Sequence, residues 1–290
     1  MISISAKIGA LCAPIICPQE ATNIASIRVI EPEDLHRDPA EKRLLIHVGD
    51  AANYAQAHLP DALLVEPREL VDGTPPAVGR LPDRTRLEAL FSRLGYTPDL
   101  EIVVYDEEGG GWAGRMAWTL DIIGHQRWSY LNGGIHSWHA AGLPLTSGDG
   151  PTPAATSVAL TLDSAPVAEI ADMLSAIEDP AQAIWDVRSL EEYQGSKSGS
   201  RRAGHIPGAI HLDWMALKDP ERQLRLTEDL AGLLADHGLS ADLGIITHCQ
   251  THHRSGLSYM VARLLGFPDV RAYHGSWSEW GNRDDTPIDQ

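Results

Sequence analysis

The chain has 290 residues, of which 43% are hydrophobic and 22% are charged, and its formal net charge is -17. This composition excludes a mainly disordered chain, and the length allows two ordinary domains, each with its own core. A surface this negative disfavours nucleic acid and anionic membranes as partners. No apolar run approaches the roughly 18 residues of a membrane span.

The predicted elements of the first half alternate between strands and helices. Residues 1–23 are predicted to be an N-terminal extension, and residues 24–146 are predicted to form the first domain. Within this domain we predict strands at "RLLIHV" and "EIVVYD" and helices at "ANYAQAH" and "GRMAWTLDIIG". The run "TSGDGPTPAATS" is rich in Gly, Pro, Ser and Thr and indicates a linker, which we place at residues 147–165.

The second half, residues 166–290, repeats the same order of elements. Strands are predicted at "QAIWDV" and "GIITHC", and helices at "SLEEYQ" and "GLSYMVARLLG". Short apolar strands that alternate with helices predict an α/β fold, in which each domain is a mainly parallel sheet with helices on both faces.

The two halves are copies of one domain. The stretch "NYAQAHLPDA" matches "EEYQGSKSGSRRAGHIPGA", and "LGYTPDLEIVVYD" matches "HGLSADLGIITHC". The second copy carries an insertion rich in Gly, Ser and Arg. Where the second copy has Cys249, the first has Asp106 followed by "EEGGGWAG", which offers no thiol. We therefore expect the first half to pack against the second and to wall a cleft, without separate catalytic activity.

The stretch "HCQTHHRSG", from His248 to Gly256, contains the predicted nucleophile. It follows a buried strand and precedes an amphipathic helix, at the sheet edge where sites of parallel sheets form. Main-chain N–H groups and the helix dipole favour an anion there, which should lower the pKa of the Cys249 thiol. We predict that the anion cradle is formed by Gln250, Thr251, His252, His253, Arg254 and Ser255.

Two chemistries use such a cysteine loop: phosphate-ester hydrolysis and sulfur transfer. Cysteine-dependent phosphatases have one more residue between the cysteine and the arginine than separates Cys249 from Arg254 here. A tetrahedral phosphate needs donors for several oxygens at once, so a smaller ring of N–H groups suits a single added sulfur atom better. A cysteine-dependent phosphatase remains the weaker alternative.

Two arginines near this loop, Arg254 and Arg188, each allow two interpretations. Arg254 is predicted either to offset the substrate charge or to form an ion pair with a carboxylate such as Asp186, because a guanidinium suits either partner. Arg188 follows another strand and either faces the same crevice, as a substrate-binding residue, or belongs to the scaffold. Asp186 is interpreted as an orienting residue rather than an acid or base.

The sequence predicts no metal and no cofactor. His252 and His253 are adjacent and have no further ligand at metal-binding spacing, so we interpret them as donors beside an anion or as residues that shape the loop. His248 should point away from Cys249, since strand side chains alternate. The three cysteines, at positions 12, 17 and 249, form no CxxC pair, which disfavours disulfides and zinc and favours a cytoplasmic location.

The repeat, the "DVR" to "GHIPGA" stretch at Asp186 to Ala209, and the cysteine loop together resemble tandem-domain rhodaneses. The loop "CQTHHRSG", with "YDEEGGGWAGR", "LNGG" and "GSWSEWGN", resembles the Azotobacter-type bacterial branch in particular. The resemblance runs from about residue 27 to residue 290. It implies a thiosulfate sulfurtransferase built from two tandem rhodanese-like domains, with an inactive N-terminal domain and an active C-terminal one.

The resemblance also implies a reaction. Cys249 would take the outer sulfur of thiosulfate as a persulfide and pass it to cyanide, to a thiol or to a thiol protein. The chain departs from two groups of the family. It lacks the basic pair that directly follows the cysteine in the better-known thiosulfate rhodaneses, and it lacks the short Gly-Ser-Gly loop of mercaptopyruvate enzymes. Glu192 stands where mitochondrial-type enzymes have arginine. A 3-mercaptopyruvate sulfurtransferase and a persulfide carrier or interaction module therefore remain alternatives.

Overall fold

The computed structural model describes residues 27–38 and 42–290, so the predicted extension at 1–23 lies outside the described residues. In the first half, five parallel strands form a sheet in the order β1-β5-β4-β2-β3. Its elements are β1 (Arg28–Ile30), α1 (Pro32–Arg37), β2 (Arg43–Val48), α2 (Ala51–Gln56), β3 (Leu63–Val65), α3 (Arg84–Arg93), β4 (Glu101–Tyr105), α4 (Gly111–Ile122), β5 (Trp128–Leu131) and α5 (Gly134–Ala140).

The second half repeats this topology in a sheet of order β6-β12-β11-β7-β8, again all parallel. A short antiparallel pair, β9 with β10, forms a separate two-stranded sheet. The elements are β6 (Val167–Ala168), α6 (Ile170–Glu178), β7 (Gln182–Asp186), α7 (Leu190–Tyr193), β8 (Ile210–His211), β9 (Lys218–Asp219), β10 (Arg225–Leu226), α8 (Leu230–Asp236), β11 (Gly244–His248), α9 (Arg254–Leu264), β12 (Val270–Tyr273) and α10 (Ser276–Trp280). The α/β fold predicted from the sequence is confirmed.

The repeat extends to individual side-chain contacts. Tyr54 stacks on His58 and Tyr193 stacks on His205, with ring centroids 3.8 Å apart in both halves. In each half the histidine Nδ1 lies within hydrogen-bonding distance of the tyrosine carbonyl oxygen, at 2.8 and 2.9 Å. These histidines therefore have the same packing in both copies, although only one copy carries the cysteine.

Residues 147–165, predicted as the linker, contain neither helix nor strand and run along α3. The Thr156 amide donates to the Ser92 carbonyl oxygen at 3.2 Å, and the Leu160 amide donates to the Glu88 carboxylate at 3.0 Å. The domain boundaries on either side of this segment remain predictions. Among the described residues, no helix is both long and apolar enough to cross a membrane.

The two halves meet where α4 crosses α9. A Cβ atom added to Gly114 would lie 2.2 Å from the Gly256 carbonyl oxygen, and one added to Gly256 would lie 2.5 Å from the Arg115 nitrogen. The helix backbones are therefore in direct contact at the first turn of α9. This contact brings the start of α4 up against the loop that contains Cys249.

Gly114→Ala is expected to destabilise the protein by about 3 kcal/mol, because the new methyl group must displace backbone rather than a movable side chain. This loss should exceed the gain of about 1 kcal/mol from the better helix propensity of alanine. Urea unfolding measures the change.

Gly232→Ala, in α8, is the matched control, since its added Cβ meets only the side chain of Asp229. That substitution disturbs at most one helix cap, so we expect a change within about 1 kcal/mol. Equal unfolding midpoints for Gly114→Ala and the wild type would contradict the backbone contact described above.

Candidate active site

Cys249 directly follows β11, in the interior of the second sheet, and only 1% of its surface is exposed. Residues of α10 bind the loop that follows Cys249 through hydrogen bonds. The Trp277 amide donates to the Cys249 carbonyl oxygen at 2.9 Å, and the Ser276 Oγ accepts from the amides of Cys249 and His252 at 3.3 and 3.0 Å. The His252 amide is thus bound to Ser276, which the sequence did not indicate as part of the site.

Ser255 supplies hydrogen bonds to the sulfur of Cys249. Its Oγ donates to the Sγ across 3.5 Å, and its backbone amide also donates to the Sγ. Burial alone would raise the pKa of the Cys249 thiol. The positive charge of Arg254, the two bonds from Ser255 and the nearby His253 outweigh burial and lower that pKa below its ordinary value. The surroundings therefore favour the thiolate.

His252 supports Ser255 from a fully buried position with a backbone φ of 52°. Its Nδ1 lies 2.8 Å from the Ser255 Oγ, and burial lowers the imidazole pKa well below its ordinary value, so the ring is neutral. A hydroxyl has one proton, which Ser255 gives to the sulfur, so we assign the His252 proton to Nδ1 as the donor to Ser255. His252 thus contacts Ser255 rather than the crevice.

Arg254 forms a two-pronged ion pair with Glu192. Its Nη1 and Nη2 donate to the two carboxylate oxygens at 2.6 and 2.9 Å. The same carboxylate accepts the Ser189 amide at 3.1 Å, closing the capping box of α7. Burial opposes the charge of Arg254, but Glu192 and the Cys249 thiolate outweigh it and raise the guanidinium pKa. The ion-pair partner suggested from the sequence, Asp186, is therefore wrong, and Glu192 takes that place.

Asp186 pairs instead with Arg188, and both side chains are completely buried. The Arg188 Nη2 lies 2.6 Å from the Asp186 Oδ2 and 2.8 Å from the Gly204 carbonyl oxygen, and the guanidinium lies over the Trp277 ring. Burial would raise the Asp186 pKa, but His248 and Arg188 outweigh it and lower that pKa. The contacts of Arg188 are all with protein groups, and its predicted contact with substrate stays a prediction.

The remaining loop residues contact segments that are distant in the sequence. The Gln250 Nε2 donates to the Ser200 Oγ at 3.1 Å, so the insertion of the second copy packs against the loop. A Cβ atom added to Gly79 would lie 1.9 Å from the Thr251 carbonyl oxygen. The first half therefore contacts the loop backbone directly.

The first half also forms a wall beside His253. The Trp112 ring stacks on the His253 imidazole with centroids 4.3 Å apart, and the Glu108 carboxylate is hydrogen-bonded to the His253 Nε2. Lys218 in turn donates to the Glu108 carbonyl oxygen. His253 of the cysteine loop is therefore packed against residues of the first half.

The matching loop of the first half binds a carboxyl group, that of its own Asp106, whose pKa is raised by burial and by Glu108 against the effect of its hydrogen bonds. The Asp106 carboxylate accepts hydrogen bonds from four main-chain amides at 2.8–3.1 Å, those of Glu108, Gly109, Gly110 and Ala113. Successive N–H groups at a strand exit thus form an anion-binding concavity in this fold. In the second half only the Ser255 amide is bonded to the sulfur, so the two loops differ in how many amides face the residue after the strand.

The described part of the chain contains no group of three or more His, Cys, Asp or Glu side chains that could hold a metal ion. The site therefore consists of a buried cysteine, the hydroxyl and amide of Ser255, and the Arg254–Glu192 pair. It favours a thiolate at the end of a strand, hydrogen-bonded by Ser255; no hydrogen bond to the sulfur comes from the other predicted cradle residues, Gln250 to Arg254.

Two parallel sheets of identical topology, the second with a buried cysteine directly after its central strand, define the class of protein. Residues 31–141 and 169–283 each match the rhodanese-like domain, and the chain belongs to the rhodanese-like family. The resemblance inferred from the sequence is confirmed.

Within this family the chain is similar to two bacterial thiosulfate sulfurtransferases. It is 49% identical to the Azotobacter vinelandii protein and 48% identical to the Pseudomonas aeruginosa protein, in each case over 90% of this chain and 96% of the relative. A solved structure of the anaerobic ergothioneine biosynthesis enzyme of Chlorobium limicola shares the fold. The TM-score is 0.82 at 20% identity, covering 91% of this chain and 70% of that one.

Proposed function

We propose that the protein is a thiosulfate sulfurtransferase that works through a persulfide on Cys249. One observation carries this proposal: the Cys249 sulfur is buried within reach of two donors from Ser255 and near the charged Arg254. The similarity to thiosulfate sulfurtransferases at 48–49% identity supports thiosulfate as the donor.

In the first step, the Cys249 thiolate attacks the outer sulfur of thiosulfate, and the bond between the two thiosulfate sulfur atoms breaks. Sulfite leaves with the electron pair, and the negative charge of the thiolate moves to the outer sulfur of the new persulfide. The Ser255 hydroxyl and amide and the Arg254 charge stabilise the anion before and after this step. No proton has to move if the thiolate is the resting form.

In the second step, a nucleophilic acceptor attacks the outer persulfide sulfur and regenerates the Cys249 thiolate. Cyanide gives thiocyanate, and a thiol gives a new persulfide; both balance without an added oxidant or reductant. The donor and acceptor are small molecules in this proposal, with a thiol protein as a further candidate acceptor. A cytoplasmic location also stays a prediction.

The test is to incubate the protein with thiosulfate and weigh it intact. We expect a gain of one sulfur atom that cyanide removes, and the same gain in a variant that lacks Cys12 and Cys17. Absence of the adduct would refute the proposal. Mercaptopyruvate as an alternative donor, and an aryl phosphate as a phosphatase substrate, separate the rival enzymes. Transfer to a protein acceptor without small-molecule turnover would indicate a carrier module.

A further inference from the structure

Arg115 is a fully buried arginine of α4, in the half that lacks the cysteine. Its guanidinium donates only to main-chain carbonyl oxygens, and it forms no salt bridge with any carboxylate of the described residues. The acceptors lie in both halves: Leu70 at 2.6 Å, Gly79 at 2.8 Å, Arg80 at 3.3 Å and His252 at 3.5 Å. One buried positive charge thus connects the first half with the cysteine loop.

A buried charge without a counter-ion costs several kcal/mol, so an anion nearby should account for it. Burial lowers the pKa of Arg115 to about 9, and the charge that opposes this effect is that of the Cys249 thiolate. The guanidinium is therefore still charged at neutral pH. Its electrostatic partner is the Cys249 thiolate, which is the nucleophile of the proposed reaction.

The fold brings Arg115 to this position through two backbone contacts. The preceding residue, Gly114, touches Gly256 at the start of α9, and Gly79 touches the Thr251 carbonyl oxygen. Arg115 donates to Gly79 and to His252, on either side of that second contact. Its charge also helps to keep the His252 imidazole neutral, after the larger effect of burial. Neutral His252 is the form that donates to Ser255.

We propose that Arg115 is a positioning residue for the Cys249 thiolate. It binds the His252 carbonyl oxygen and so holds the cysteine loop, and its buried positive charge stabilises the thiolate. The half without a cysteine thereby contributes to the chemistry of the other half. Arg254, paired with Glu192, and His253, paired with Glu108, act on the Cys249 thiol from the loop itself, and Arg115 acts from the other half. The neutral ring of His252 and, on the strand side of the cysteine, His248 beside the buried Asp186–Arg188 pair are the further titratable groups near the loop. The inference deepens the sulfur-transfer function proposed above.

Arg86 offers a matched comparison. It also donates to three carbonyl oxygens of the first half, those of Arg68, Val71 and Asp72 at 2.9–3.1 Å, but it is exposed to solvent and none of these hydrogen bonds reaches the cysteine loop. A variant of Arg86 therefore loses the same kind of hydrogen bond without altering the field at the sulfur.

The experiment measures the pKa of the Cys249 thiol in a Cys12→Ser/Cys17→Ser background, by ultraviolet absorbance of the thiolate during a pH titration without donor. Arg115→Gln keeps donors but removes the charge, and is expected to raise the thiol pKa by about one pH unit. At pH values below the thiol pKa of the wild type, its kcat/KM for thiosulfate should fall about tenfold, and it should recover as the pH is raised. Arg86→Gln should leave the thiol pKa unchanged.

Arg115→Lys keeps a charge at a greater distance and should raise the thiol pKa about half as much, so it also serves if Arg115→Gln does not fold. A thiol pKa equal to that of the wild type, in either folded variant, overturns the proposal and leaves Arg115 a structural anchor. The titration is independent of sulfur transfer. If the wild type forms no adduct with thiosulfate, the proposed function fails while the role of Arg115 is still decided.

Discussion

Cys249→Ser is expected to lose both persulfide formation and thiocyanate production, a loss of at least about a thousandfold. The reason is chemical, since a serine hydroxyl has no accessible anionic form at neutral pH and cannot hold the sulfur atom as a persulfide. The fold should persist, because the residue is small and its carbonyl oxygen still accepts from the Trp277 amide. Intact mass after thiosulfate treatment and the rate of thiocyanate formation measure the effect.

A second variant tests whether a thiol in the Asp106 loop of the first half is sufficient for sulfur transfer. Asp106→Cys, added to Cys249→Ser, places a cysteine under the four amides that bind the Asp106 carboxylate. The residue that corresponds to Arg254 in that loop is Gly111, so the cysteine would lack the arginine charge. We expect no recovery of turnover. Sulfur transfer by this variant would show that the amide ring alone is enough.

The general architecture follows from local patterns in the sequence. Apolar runs such as "EIVVY" and "GIITH" form the central strands, and the internal repeat fixes one topology for both halves. Cys249 lies where the pattern places it, between a buried strand and a helix that begins at Arg254. These features depend on residues close together in the chain, which is why composition and periodicity reveal them.

The partners of the site residues depend on tertiary packing and were harder to infer. "SLEE" is a visible capping box, yet nothing local shows that Glu192 also binds Arg254, 62 residues away. Asp186 is one carboxylate that the sequence suggests as a partner of Arg254, but it is paired with Arg188. Arg115 and His252 are 137 residues apart, and only the crossing of α4 and α9 brings them together.

These long-range partners share a physical role. The thiol is buried, and burial alone disfavours its anion, so charges and donors from several segments must compensate. Ser255 and Arg254 belong to the loop itself, and Glu192, from α7, holds the Arg254 guanidinium in place. Arg115, from the other half, is the proposed additional positive charge. The single-residue contributions are therefore expected to be coupled rather than additive.

Arg254→Met is the sharpest test of this coupling. It removes the positive charge that lowers the Cys249 thiol pKa and leaves the Glu192 carboxylate, whose side chain is 10% exposed, without its partner. We expect the thiol pKa to rise by about two pH units, and kcat/KM for thiosulfate at neutral pH to fall about a hundredfold to a thousandfold. The thiolate titration and steady-state rates over a pH series measure both effects.

Glu192→Gln separates the two contributions of the pair. Alone it removes the negative charge while Arg254 stays, so the thiol pKa should not rise, and activity should fall far less than in Arg254→Met. In the double variant with Arg254→Met, the unpaired carboxylate is absent. We expect kcat/KM of this double variant to be about tenfold higher than that of Arg254→Met. If the double variant is no better than Arg254→Met, repulsion by Glu192 is not the cause of the loss. The guanidinium would then act through direct contact with the donor anion, with Glu192 holding it in place.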